Sequence, residues 1–140
     1  GMRPGVKLIK FDNSPRVYAV TTGSFLCHIV NGNAASALYG AKWQSRAVIL
    51  GSNVEADYNN DGYCKLNNNA KYPDSSLIQY QGSQDIWYIE KNLKRKVLPE
   101  AFIANRFKSE AIIKNVRPDM DYGTGNAISG LEENILIYNK

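Results

Sequence analysis

The sequence predicts an α+β fold of two similar units in tandem, each a β-hairpin with a short helix and an additional short strand. Three observations carry this expectation. Residues Val6 to Gly62 can be laid over Ser75 to Gly125 with apolar class, turn chemistry and order preserved, although identity is low. Each half contains short β-branched and aromatic runs suited to strands. Each then changes from a period of two to a helical period and back.

In chain order, Leu8-Ile9-Lys10 faces Leu77-Ile78-Gln79 across the repeat, and Val17 to Val20 faces Ile86 to Ile89. The latter two runs read as the opening strands of hairpins, with Thr22-Gly23-Ser24 and Lys91-Asn92 as their compact polar turns. In the returning strands Phe25, Cys27 and Ile29 alternate with Leu26 and His28, and Leu93, Arg95 and Val97 alternate with Lys94 and Lys96. That alternation predicts one face toward the core and one toward water. Helices are expected over Ala34 to Tyr39, capped by Asn31 or Asn33 and stopped by Gly40, and over Glu100 to Phe107, with Pro99 in the first turn. At about two turns each, neither is stable without packing on its hairpin. Ala47 to Leu50 and Ile112 to Val116 read as a last extended piece, and Asp57-Tyr58 with Gly62 and Asp121-Tyr122 with Gly125 as turn-rich exits.

The expected boundaries are residues 3–66 for the first unit, 72–130 for the second and 131–140 for a tail. The link from Lys65 to Asp74, centred on Asn67-Asn68-Asn69, is too short for a free linker, so the units should touch. In the tail, Ser129 is a candidate cap for a short helix containing Glu132 and Glu133, while Ile135-Leu136-Ile137 reads as a strand, the start of a further element.

Composition narrows the classes of function. A chain of 140 residues holds one ordinary domain or two very small ones, and 44% hydrophobic content argues against wholesale disorder. No run approaches the roughly 18 to 20 apolar residues of a membrane span. The 17 basic and 13 acidic side chains leave +4, a thin excess and a poor footprint for a nucleic-acid binder. Lys91, Lys94 and Lys96 form the densest basic patch, but Asp85 and Glu90 lie on the opposite hairpin strand and cancel it. Nucleic acid is therefore not an expected partner. The opening Gly1-Met2 reads as a remnant of tag cleavage, which leaves room for a signal sequence or neighbouring domains ahead of it.

No catalytic constellation assembles from the residue types. His28 is the lone histidine, without a nucleophile-elbow serine beside it or a second histidine for a metal site. Asp57 and Asp121 hold equivalent places in the repeat, as paired carboxylates of a glycosidase might be drawn from symmetric units, but each sits in an Asp/Asn/Gly turn that explains it. Asp61 lacks the later oxygen ligands of a calcium loop, and Gly123-Thr124-Gly125 lacks the Lys and the strand-to-helix setting of a phosphate loop. No metal and no cofactor are expected. Cys27 reads either as a small apolar core residue or as half of one disulfide with Cys64.

The aromatic inventory offers the candidate contact surface. Tyr18, Trp43, Tyr58, Trp87, Tyr88 and Tyr122 are either core residues or flat platforms for sugar rings or partner chains, since such rings give much amphipathic contact at little entropic cost.

The string Arg3-Pro4-Gly5, Leu8-Ile9-Lys10, Val17-Tyr18-Ala19-Val20, Ala34, Leu38-Tyr39-Gly40 and Trp43 resembles a small tandem module of large bacterial extracellular or cell-surface proteins. So does Tyr72 to Ile78 with Ile86-Trp87-Tyr88-Ile89, Lys94 to Val97 and Tyr122-Gly123-Thr124-Gly125, which makes two copies over residues 3 to 130. The chain departs from that pattern at His28, where a basic residue is usual, and in the second copy, which has no Gly after Phe107 and no Trp near Ser109. The resemblance implies a non-catalytic, secreted or surface-associated module for binding or adhesion, with a polysaccharide, a cell-wall polymer or a protein as partner. A purely structural spacer between domains is the alternative, and a small wall-active hydrolase a more distant one.

Overall fold

The structure is a computed structural model and describes residues 8–136. The Arg3-Pro4-Gly5 string and the tail from Ile137 onward lie outside the described residues. The first unit comprises β1 (Leu8–Phe11), β2 (Val17–Thr21), β3 (Phe25–Ile29), α1 (Gly32–Tyr39), β4 (Ala47–Leu50) and β5 (Lys65–Leu66). The second comprises β6 (Leu77–Tyr80), β7 (Trp87–Glu90), β8 (Leu93–Lys96), α2 (Pro99–Ala104), β9 (Ile113–Val116) and β10 (Gly123–Thr124), followed by α3 (Glu133–Leu136).

The strand orders are β4-β1-β2-β3-β5 and β9-β6-β7-β8-β10, so the two units share one topology. In each, an antiparallel three-stranded meander is flanked on both sides by a parallel strand. The α+β fold with two repeated units is thus present, and the expected hairpin is the inner part of a five-stranded sheet.

Local chemistry sets the turns and caps. Lys91 (φ 52°) and Asn92 (φ 62°) form a two-residue turn with both residues left-handed, which matches the twist of the strands it joins. In the first unit Gly23 takes φ 79° for the same reversal. The Asn31 side chain accepts from the Ala34 amide at 2.8 Å, and Gly40 at φ 92° ends α1. α2 stops at Ala104 rather than at Phe107. Arg106 turns the chain at φ 58°, and Phe107 packs buried against Tyr88 and Phe102. The third residue of each helix, Ala34 or Ala101, is fully buried, a small side chain in the packed interior.

The tail also differs from the expectation. Ile135 and Leu136 lie in α3, not in a strand, and Glu132 rather than Ser129 starts the turn. Burying Ile135 against Val97, Ala101 and Ile128 is the packing that favours this helical turn. Its entry is fixed by Asn105, whose Oδ1 accepts from the Glu132 amide at 2.9 Å, and by Arg95, which donates to both Glu132 carboxylate oxygens at 2.9 and 2.6 Å.

Both faces of each meander are packed, which corrects the one-face expectation. In the first unit Leu8, Ala19, Cys27 and Ile29 share a face with α1, whereas Ile9, Phe11, Tyr18, Val20 and Leu26 pack on the opposite face with Tyr58. In the second, Leu77, Tyr88 and Val97 share a face with α2, and Ile78 and Ile89 lie on the other. The helix-bearing face of the first unit and the helix-free face of the second belong to one continuous core. The units therefore stack front to back, a head-to-tail contact rather than a two-fold one.

A disulfide joins Cys27 on β3 to Cys64, just ahead of β5, across 37 residues of sequence. Replacing both cysteines with alanine is expected to lower stability by about 2 to 4 kcal/mol, read as a lower urea midpoint. An unchanged midpoint would show that the bond adds nothing to the packed sheet.

Candidate functional site

The seam between the units is where the polar chemistry gathers. Arg46, half-buried at the end of the 3-10 turn Trp43–Arg46, donates to the carbonyls of Ala111 (3.3 Å) and Ile112 (2.8 Å) in the second unit. Thr21 Oγ1 donates to the Asp74 carbonyl at 2.9 Å, and the Thr22 and Ser75 hydroxyls meet at 2.7 Å. Tyr72 donates through its hydroxyl to the Leu38 carbonyl at the end of α1, and its own amide donates to the Tyr122 hydroxyl at 2.6 Å. The Tyr39 and Tyr72 rings meet edge to face at 5.8 Å.

Burial sets the ionisation of this cluster. It raises the pKa of Tyr39 and of Tyr122, and pushes Tyr72 up to about 12, with the cations of Arg117 and Arg46 opposing the shift. Burial draws Arg46 below its usual value. At neutral pH the phenols are thus neutral hydrogen-bonding groups beside a guanidinium.

Beside these residues a cleft of about 230 Å³ opens between α1 and β9. Its buried floor is Leu38, Tyr72 and Met120, with Ser36 and Gly40 from the first unit, Asn68 from the link, and Lys114, Asn115 and Arg117 from the second unit. A shift of register between β6 and β9, with Asn115 at φ 59°, leaves both Lys114 and Asn115 exposed in succession. Among the described residues no carboxylate lines the cleft, although Arg117 pairs at 3.3 Å with the exposed Asp119.

The candidate residues read from the sequence fall in several places. Tyr18, Tyr58, Tyr88 and Tyr122 are buried, so their rings serve the core instead of an open platform, while Trp43 and Trp87 are half-buried against the shared core. The three lysines do not act as one patch. Lys94 lies over the rings of Tyr80 and Trp87 at 4.9 and 4.8 Å, Lys96 pairs with Asp85 at 3.6 Å, and Lys91 stands in the exposed hairpin turn.

His28 is half-buried, its ring 5.7 Å from that of Tyr18, and its pKa is lowered by burial and by the charges of Arg16 and Lys65. Asp57 and Asp121 are both exposed. Asp61 accepts from the Tyr63 amide at 3.0 Å, the local turn bond expected of it. Among the described residues there is no group of three or more His, Cys, Asp or Glu side chains that could hold a metal ion, and no helix is long and apolar enough to cross a membrane.

Arg46, Asn68, Lys114 and Arg117 were not among the candidates from sequence, because the cleft exists only once the units are stacked. The one hint available is that Lys114 and Asn115 interrupt an otherwise apolar strand. The chain is thus a two-unit α+β repeat protein with a cation-lined cleft at its seam. No protein-family model matches it, and no similar curated protein or solved structure is found.

The raised Tyr72 pKa has a definite sign for stability. Its folded form holds the phenol proton more tightly than the unfolded chain, so the contribution is complete below about pH 10 and is lost as pH rises through about 12. Tyr72→Phe is expected to flatten that alkaline decline while lowering stability at pH 7 through the lost bond to Leu38. Parallel alkaline profiles for the two proteins would contradict it.

Proposed function

We propose that this chain is a non-catalytic binding module of an extracellular or surface-associated protein, and that the seam cleft takes an anionic glycan or cell-wall polymer. The observation that carries the reading is the lining of the cleft. Lys114 and Arg117, the latter also paired with Asp119 outside the lining, supply two cations, Asn68, Asn115 and Ser36 supply hydrogen-bonding groups, and Leu38, Tyr72 and Met120 supply an apolar floor, with no carboxylate among the described lining residues. A sugar ring bearing a carboxylate or phosphate matches that set, with its anion toward the cations and its hydroxyls toward the amides.

Two further features support this reading. The Cys27–Cys64 disulfide suits an oxidising compartment. His28, its ring tilted at 5.7 Å from that of Tyr18, and the exposed Asp57 and Asp121 are not among the lining residues of the cleft. The spacer reading is favoured by a separate fact, the burial of Tyr18, Tyr58, Tyr88 and Tyr122.

Calorimetric titration with galacturonic acid oligomers and with glycerol-phosphate oligomers separates the two. Binding of an anionic oligomer is expected, with the fully methyl-esterified galacturonate inert and Lys114→Ala/Arg117→Ala weakening affinity by about tenfold or more. Binding that is indifferent to both cations would overturn the cleft assignment. No binding of either oligomer would leave the spacer as the better reading.

A further inference from the structure

Among the described residues the four sheet edges are unequally protected. β5 and β10 are only two residues long, and β9 carries the register shift at Asn115 together with the exposed Lys114. Short edges, bulges and edge lysines are the devices that keep a sheet from pairing with other chains. β4 has none of them. Its four residues, Ala47-Val48-Ile49-Leu50, contain no charge and no proline, its pairing with β1 runs without a shift, and the Ile49 side chain is 67% exposed.

The backbone of β4 offers a free ladder as well. The Asp12 amide donates to the Leu50 carbonyl at 2.9 Å, so Leu50 directs its main-chain groups toward β1. In a parallel pair alternate residues do this, which leaves the N–H and C=O of Ile49 pointing out of the sheet. Among the described residues none is bonded to them.

We propose that β4 accepts one further strand, and that this strand is β4 of a second copy of the chain, antiparallel about a two-fold axis at Ile49. With Ile49 opposite its own copy, the two residues exchange both N–H···O=C bonds, and Val48 faces Leu50 on each side. Charge favours this occupant over an arbitrary extended peptide. The exposed Lys42 precedes β4 and the exposed Glu55 and Asp57 follow it, so an antiparallel pair sets the basic end of one copy beside the acidic end of the other. The resulting sheet would run continuously through two molecules.

Sedimentation of the full chain from about 1 µM to about 1 mM is expected to show a reversible dimer, which Ile49→Lys weakens by about tenfold or more without lowering the urea midpoint. Residues of a hydrogen-bonded antiparallel pair sit about 5.5 Å apart at Cα, within reach of a disulfide. Oxidised Ile49→Cys should therefore form a covalent dimer well ahead of Lys42→Cys. A chain that stays monomeric throughout, or a dimer indifferent to Ile49→Lys, would overturn the proposal. Cross-linking no faster at position 49 than at position 42 would overturn the pairing.

Discussion

One constraint shapes the molecule. The helix-bearing face of the first sheet is apolar, and α1, with its small Ala34 and Ala35, is too slight to cover it alone. The helix-free face of the second sheet completes the cover. Ile78, Ile89, Ile113, Val116, Met120 and Tyr122 enter the same core as Leu8, Ala19, Ile29 and Leu38. A unit of this size buries too little surface to be secure by itself, which is the usual reason that repeats stack. The polar contacts follow from this packing. Arg46, Thr21 and Tyr72 all bond to main-chain carbonyls across the seam, so the register of one unit against the other does not depend on matched charges.

A front-to-back contact would leave one apolar face open at each end, and the chain closes the two ends differently. The first unit's outer face is covered from the 3-10 segment Ser52–Asp57 by Val54, with Leu50 and the buried Tyr58 alongside. The second unit's outer face receives Ile128 and, from α3, Ile135. The third strands differ in the same way. Where β3 is tied to its parallel neighbour by Cys27 and Cys64, the matching position on β8 is Arg95, which bonds to the Asn126 carbonyl and to Glu132. A covalent tie and a charge-assisted tie thus hold the same place in two copies of one topology.

Much of this order is legible in the residues. The paired runs at Leu8 and Leu77, the turns at Gly23 and Lys91-Asn92, and Asn31 and Gly40 around α1 all obey local rules, and local rules can be read from a single chain. What could not be read is mostly non-local. Pairing of β1 with β4 and of β3 with β5 joins segments far apart in sequence. The left-handed turn at Arg106 that ends α2 carries no Gly or Pro to announce it. Lys94 reads as a solvated charge until Tyr80 and Trp87 are placed beneath it. The seam cleft is the extreme case, because Ser36 and Lys114 become neighbours only through the stacking of the units.

The two tryptophans test that stacking directly, since Trp43 belongs to the first unit and Trp87 to the second and both pack against the shared core. Urea unfolding can be followed on each in turn, with Trp87→Phe isolating the first signal and Trp43→Phe the second. A common core predicts one cooperative transition, with the fluorescence and far-ultraviolet circular dichroism curves of each variant coincident in midpoint and slope. Curves that separate within a variant, so that one unit melts while the other remains folded, would contradict it.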